Sequence, residues 1–353
     1  MDHARRLHRL IAERERPLLV TSLVNIRYLT GFTGTAACLL VTAEECVFAT
    51  DGRYGELAEE LAAELEVTRV EVSTTGMLDL LAGLVGSAAE VDLEADHVTW
   101  SFLTSLQEKV GTTLHPTTGV VEAHRLVKDA DEVEALTAAA RAGDAAFAGI
   151  AGLAAGAATE AELADALVEA MRAAGGDQAG WPPIVAAGPN AARPHHQTGG
   201  DPVGDGLLLL DYGCLVDGYH SDMTRTVWLD GEPDDELRKL FDAVLESNEA
   251  GIAAVRPGAT GDEVDEACRA VLRRHGLEDH FLHSTGHGVG LEIHEAPAAR
   301  RKSEDVLEPG HVLTVEPGVY LPGVGGVRIE DMVAVTDAGH DVLTTSPKEL
   351  ALR

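Results

Sequence analysis

The sequence predicts two domains, an α/β unit over residues 1–124 and an α+β unit over residues 125–353. Three observations carry that division. A chain of 353 residues exceeds what one ordinary hydrophobic core organises. Helical and strand patterns alternate through the first third of the chain. From Trp181 onward the character changes to apolar strands broken by glycine and proline.

In the first unit, "HARRLHRLIAERE" has the periodicity of an amphipathic helix, and "RPLLVTS", "AACLLVT" and "ECVFATD" read as strands. "NIRYLTGFTGTA" reads as a turn-rich connection whose Tyr28 and Phe32 pack. "YGELAEELAAELE" and "MLDLLAGLVG" are two further helices. No glycine-rich phosphate loop follows a strand, so a nucleotide site has no support. The second unit opens on a charged link, "RLVKDADEVEALTAAARAGDAAF", that becomes a long alanine-rich helix. "TEAELADALVEAMRAAG" starts with a capping-box pattern, Thr159 to Glu162. Strands follow in "PPIVAAG" and "GLLLLDYGCLVDGYHSDMTRTVWL", then helices in "DDELRKLFDAVLESNEAGIAAV" and "TGDEVDEACRAVLRRHG", then strands in "HVLTVEPGVYLPGVGGVRIEDMVAVT". Helix pair, strands, helix pair, strands suggests a doubled architecture, although the halves share no sequence repeat.

Composition narrows the function classes. Hydrophobic residues at 45% with a mean hydropathy of +0.00 fit a soluble globular protein. No stretch approaches the roughly 20 apolar residues of a membrane span, and "MDHARRLHRLIAERERPLLV" lacks the apolar core of a secretion signal. A cytoplasmic protein with no membrane partner is expected. The net charge of −32 disfavours nucleic acid and reads as a solubility feature. Cys38, Cys46, Cys214 and Cys268 form no CxxC pair and are expected as reduced, buried thiols.

"HSTGHGVGLEIHE" places His283, His287 and His294 within thirteen residues. It is not the zinc-protease motif, and its glycines argue against a helix. Alternating positions of an extended segment, with glycines admitting a close neighbour, fit better. Carboxylates supply the missing partners. The Asp217-Gly218 turn signal predicts a hairpin that sets Asp211 opposite Thr224, with Asp222 on the same face. In "TVEPGVYLPGVGGVRIED", Glu316 and Glu330 stand symmetrically about Gly323, so an odd-length turn opposes them and turns Asp331 away. Like charges paired in this way repel unless a cation lies between them. Two aspartates, two glutamates and a histidine are too many for one closed zinc site. They suit two divalent ions roughly 3.5 Å apart. The oxygen-rich, thiolate-free set favours Mn²⁺, with Co²⁺ or Zn²⁺ as alternatives.

These stretches resemble the pita-bread metallopeptidases, namely aminopeptidase P, prolidase and, more distantly, methionine aminopeptidase. The resemblance rests on "LLLLDYGCLVDGYHSDMTRT", "HSTGHGVGLEIHE", "TVEPGVY", "VRIEDMVAVT" and "GPNAARPHH". "NIRYLTGFTGTAACLLVT" and "ATDGRY" resemble the N-terminal accessory domain of the proline-specific members. The resemblance implies that Asp211, Asp222, His287, Glu316 and Glu330 are the ligands of two metal ions, with Asp222 and Glu330 bridging. It makes His195 and His294 the substrate contacts at the scissile bond, with His196 the alternative to His195, and Glu316 the proton acceptor. His283 would line the pocket, and Arg328 would brace the carboxylates. The implied protein is a homodimeric exopeptidase hydrolysing Xaa-Pro bonds, prolidase slightly ahead of aminopeptidase P. Its substrate is a peptide with proline second. A methionine aminopeptidase would lack residues 1–124, a creatinase-like hydrolase would lack the carboxylates, and a non-catalytic binding module would need neither ligands nor histidines.

Overall fold

The computed structural model describes residues 1–65 and 68–351. It divides into two compact units, Met1–Arg125 and Leu126–Arg353.

The first unit is built on a six-stranded mixed sheet in the order Thr68–Ser73, Cys46–Asp51, Ala37–Val41, Leu18–Val20, Glu90–Glu94, Thr113–Thr117. The α/β expectation is met. Helix His3–Ala12 buries Leu7, Leu10 and Ile11, and Asp2 caps it by accepting the Arg5 N–H. Helices Gly55–Glu64 and Met77–Val85 also form as expected, although Glu66 of the first predicted segment lies outside the described residues. One expectation is corrected. The first half of the connection beginning at Asn25 instead belongs to the helix Leu23–Thr30. Ser22 caps it, and Glu94 accepts the N–H groups of Thr21 and Ser22 at 2.6 and 2.9 Å. Gly31 ends it at φ +77°. That helix is stabilised by a carboxylate about seventy residues away, which local pattern does not reveal. Tyr28 and Phe32 are buried, as expected. The strands at Thr68, Glu90 and Thr113 escaped the sequence reading because "TRVEVS", "EVDLE" and "TLHPT" are short and polar. The last holds Pro116 on the sheet edge, where a missing donor is tolerated.

In the second unit, helices Ala130–Ala148 and Glu160–Ala173 cover one side of the sheet formed by Met223–Leu229, Gly206–Tyr212 and Ile184–Ala187. The strand Gly206–Tyr212 explains its own composition. Leu208 and Leu210 enter a core with Phe147, Leu163 and Leu167, while Leu207 and Leu209 enter another with Phe241, Val244 and Leu272. A strand buried on both faces has no polar side to show, hence the unbroken leucine run. Helices Asp235–Ala254 and Gly261–Arg274 form the second pair, beside a five-stranded sheet in the order Glu295–Ala299, Gly286–Gly288, Val312–Val315, Asp331–Thr336, Gly339–Val342. The doubled helix-and-strand plan is thus present. At Thr159 the capping box is half formed. Thr159 accepts the Glu162 N–H, but the Glu162 carboxylate reaches the Ala158 N–H instead of its own cap residue. Among the described residues, no helix is long and apolar enough to cross a membrane.

Candidate active site

Both predicted hairpins form in the predicted register. Asp217 and Gly218 adopt φ +51° and +81°, the mirror-image turn that matches strand twist. Asp211 lies opposite Thr224. The ladder is interrupted between the Tyr212–Met223 and Leu215–His220 pairs, and Asp222 sits at the interruption. In the second hairpin, Val315 pairs Asp331 and Gly318 pairs Arg328 in one register, which sets Glu316 across from Glu330. The turn between Leu321 and Gly325 is three residues long, odd as expected. Each hairpin therefore carries its carboxylates where the strand passes from one sheet to another and the side chains can converge.

Backbone ties bring the pieces together. The Glu330 N–H donates to the Thr224 carbonyl at 3.1 Å, and the Glu316 N–H to the Thr285 carbonyl at 2.7 Å. His287 lies on the short strand Gly286–Gly288. An added Cβ on Gly286 would sit 1.9 Å from the Thr314 carbonyl oxygen, and one on Gly288 would sit 2.1 Å from that of Ala296. The glycines admit neighbouring strands, as the sequence suggested. His283 and His294 fall outside that strand, so the extended segment is shorter than expected.

Asp211, Asp222, His195, His283, His287, His294, Glu316, Arg328 and Glu330 all line one cavity of about 390 Å³. Trp181, Ile184, Pro194 and Ile293 make its apolar wall. None of the four cysteines lines it, and all four are free and buried. His196 is not in the lining; it is buried against Glu160.

The electrostatics test the metal assignment. Asp222 and Glu316 have carboxyls pushed well above the ordinary range, first by burial and then by neighbouring carboxylates, Glu330 foremost. Glu330 is pushed up to about 8 by burial and then by Asp211. Arg328 opposes this only in part. Its guanidinium donates to Asp211, to Thr224 Oγ1 at 3.0 Å and to the Tyr320 hydroxyl at 2.8 Å. His287 is lowered to about 4, chiefly by burial, and is neutral at pH 7. Its Nδ1 lies 3.0 Å from the Gly288 carbonyl, which accepts the ring proton. The bare Nε2 then faces Asp222 Oδ2 and Glu316 Oε1, each 3.6 Å away. Acceptors confronting acceptors in a buried site are the arrangement that cations complete. The donor set fits divalent ions. Asp222, His287 and Glu330 offer ligand atoms that all lie within 4.8 Å of one another.

Residues 134–337, more than half of the chain, match metallopeptidase family M24. The chain belongs to that family. Residues 6–127 match the creatinase/prolidase N-terminal domain, so this M24 metallopeptidase pairs an α/β accessory unit with the pita-bread fold. The uncharacterized peptidase YqhT of Bacillus subtilis is 37% identical over 95% of both chains. An Xaa-Pro dipeptidase from Bacillus anthracis superposes with a TM-score of 0.92 at 36% identity, covering 100% of this chain and 99% of its own. An X-Pro aminopeptidase from Thermotoga maritima superposes at 0.89 with 30% identity, covering 98% and 100%.

The sequence reading missed several residues of this M24 site. Tyr320 bonds both His283 Nε2, at 2.8 Å, and Arg328. Its signal was present, since it shares by alternation the strand face of Glu316. Thr224 bonds Glu330 at 2.7 Å as well as Arg328, and its place opposite Asp211 was already predicted. Trp181 carried no local signal.

Proposed function

We propose that this metallopeptidase is a two-metal exopeptidase cleaving the bond before proline, with Xaa-Pro dipeptides slightly favoured over longer peptides. The observation that carries the reading is the convergence of Asp211, Asp222, His287, Glu316 and Glu330 in one cavity, with the unprotonated His287 nitrogen facing carboxylates. Asp222 and Glu330 would bridge the ions, Asp211 would complete one coordination sphere, and His287 with Glu316 the other. Mn²⁺ is our first choice, because the donors are mostly oxygen and include no thiolate. When bound, the ions supply positive charge that activates water and polarises a carbonyl.

The remaining chemistry belongs to the chain. Glu316 accepts the proton of the attacking water and returns it to the proline nitrogen, which has no N–H and leaves only once protonated. His195 and His294 both line the cavity, where either donates a hydrogen bond as charge grows on the carbonyl oxygen. His283 holds the Tyr320 hydroxyl, and Tyr320 in turn steadies Arg328. Trp181, Ile184 and Ile293 offer an apolar wall for the pyrrolidine ring, whose fixed φ lowers the entropy lost on binding.

The test is hydrolysis of Ala-Pro beside Ala-Ala and Ala-Pro-Ala. Ala-Pro should be cleaved at least about tenfold faster than Ala-Ala, the scale an apolar pocket provides. Comparable rates on the two dipeptides would refute proline selectivity. Faster cleavage of Ala-Pro-Ala would select the aminopeptidase reading, in line with the X-Pro aminopeptidase of Thermotoga maritima. We further propose a homodimer, in which large apolar side chains exposed on the first unit, Trp100 at 78% and Leu23 at 39%, are candidates for cover. Light scattering at micromolar concentration should return twice the chain mass of 37.2 kDa, and a monomer mass would reject it.

A further inference from the structure

We propose that the buried Glu160–His196 pair is the device that positions His195 in the active-site cavity. Glu160 opens the helix Glu160–Ala173 and is fully buried. One of its oxygens accepts the Ala187 N–H at 2.8 Å and the Asn190 amide at 2.9 Å. The other lies 2.7 Å from His196 Nε2. Three donors spread over ten residues thus converge on a single carboxylate. The segment they tie down ends in a bend outside regular structure, and His195 stands in that bend. On its other side the Pro194 carbonyl accepts from Arg328 at 3.4 Å. His195 is therefore clamped between an arginine of the carboxylate cluster and a histidine anchored to a helix terminus.

The chemistry of His196 argues for this role over simple filling of space. A carboxylate only accepts, so Nε2 carries the hydrogen. Nδ1 is buried with no partner, and an unmet polar atom costs free energy that an apolar side chain would avoid. What the ring contributes is its bond to Glu160. Asp201 completes a group with Glu160 and His196 spaced as metal ligands would be. Both Glu160 oxygens already accept, however, and the Asn190 amide also donates to Asp201 at 2.9 Å, so hydrogen bonds already hold the two carboxylates in place.

The inference rests on the proposed role of His195 at the scissile carbonyl, and a double-mutant cycle on the Mn²⁺-loaded enzyme separates the two. With Ala-Pro as substrate, His195→Ala should lower kcat by roughly 10²–10³-fold, as loss of an oxyanion donor does. His196→Ala should lower kcat by about tenfold or more through misplacement, with KM within about twofold and metal content unchanged. The double variant should be no slower than His195→Ala alone, and His196→Gln, which keeps an N–H donor, should recover part of the rate. Equal losses from His196→Ala in both backgrounds would make His196 a support of the fold only and overturn the proposal. A His195→Ala enzyme at the parental rate would overturn the reading of His195, and the role of the pair with it. Should His196→Ala prove too unstable to assay, Glu160→Gln enters the same cycle with the same expected and overturning results.

Discussion

Asp222→Asn should lose both bound metal and activity, by at least roughly 10²–10³-fold in kcat, and yet raise the stability of the metal-free protein. Asp222 is buried at the break in the first hairpin and faces Glu330, Asp211 and Glu316. Without ions, Asp222, Glu316 and Glu330 hold protons that the unfolded chain has already released. A carboxyl whose folded pKa is raised favours folding below the unfolded value, and stability falls as pH climbs towards the folded one. For Glu330 that window runs from the ordinary carboxylate range up to about 8. Metal-free Asp222→Asn has no carboxyl to keep protonated against the rising pH, and it should melt above the metal-free parent at pH 8. At pH 4 the difference should shrink, since the parent is then protonated. Calorimetry and metal analysis on chelated and Mn²⁺-loaded samples check both halves. His294→Ala is the contrast. Its ring packs edge-on against His287 with centroids 4.2 Å apart, and it should keep its metal while turning over slowly. If His294→Ala were stripped of metal and Asp222→Asn retained it, the ligand assignment would be reversed.

Arg225→Met should destabilise the protein by about 3–5 kcal/mol, the scale of breaking one side of a buried ion pair. Arg225 is the largest fully buried side chain among the described residues. Its guanidinium bonds Asp331 Oδ1 at 2.8 Å, the Ser346 carbonyl at 2.9 Å and the backbone carbonyl of Glu330. Lys348 lies 2.6 Å from the other Asp331 oxygen. Removing Arg225 leaves a buried carboxylate half compensated and several carbonyls unmet, next to the link between Gly325–Arg328 and Asp331–Thr336 that carries Glu330. Denaturant unfolding at pH 7 measures the loss. Adding Asp331→Asn should return part of it, because the uncompensated charge is then gone. A loss below about 1 kcal/mol would mean that water or Lys348 replaces the arginine without cost.

How much of this was legible in the sequence follows from the range of each interaction. The two hairpins were legible because register is a local property. Asp217-Gly218 and the three-residue turn after Leu321 determine which residues face each other, and alternation then fixes the side. The helix at Leu23 was not, since its start depends on Glu94 from another strand. The leucine run at 207–210 announced burial, but not that its two faces serve different cores.

By itself the sequence determined which acidic residues pair, that a cation must relieve them, and that this fold needs glycine around His287. Only the tertiary structure decided that the two hairpins meet, through the Glu330 N–H bonded to the Thr224 carbonyl across 106 residues of chain. It also puts His195 in the cavity, the residue the resemblance had implied, and leaves out His196, which is held by Glu160 on a helix 36 residues upstream. Adjacent residues on a bend carry no periodicity to say which one turns inward. That direction is set by the partner that satisfies the other, and the partner is distant.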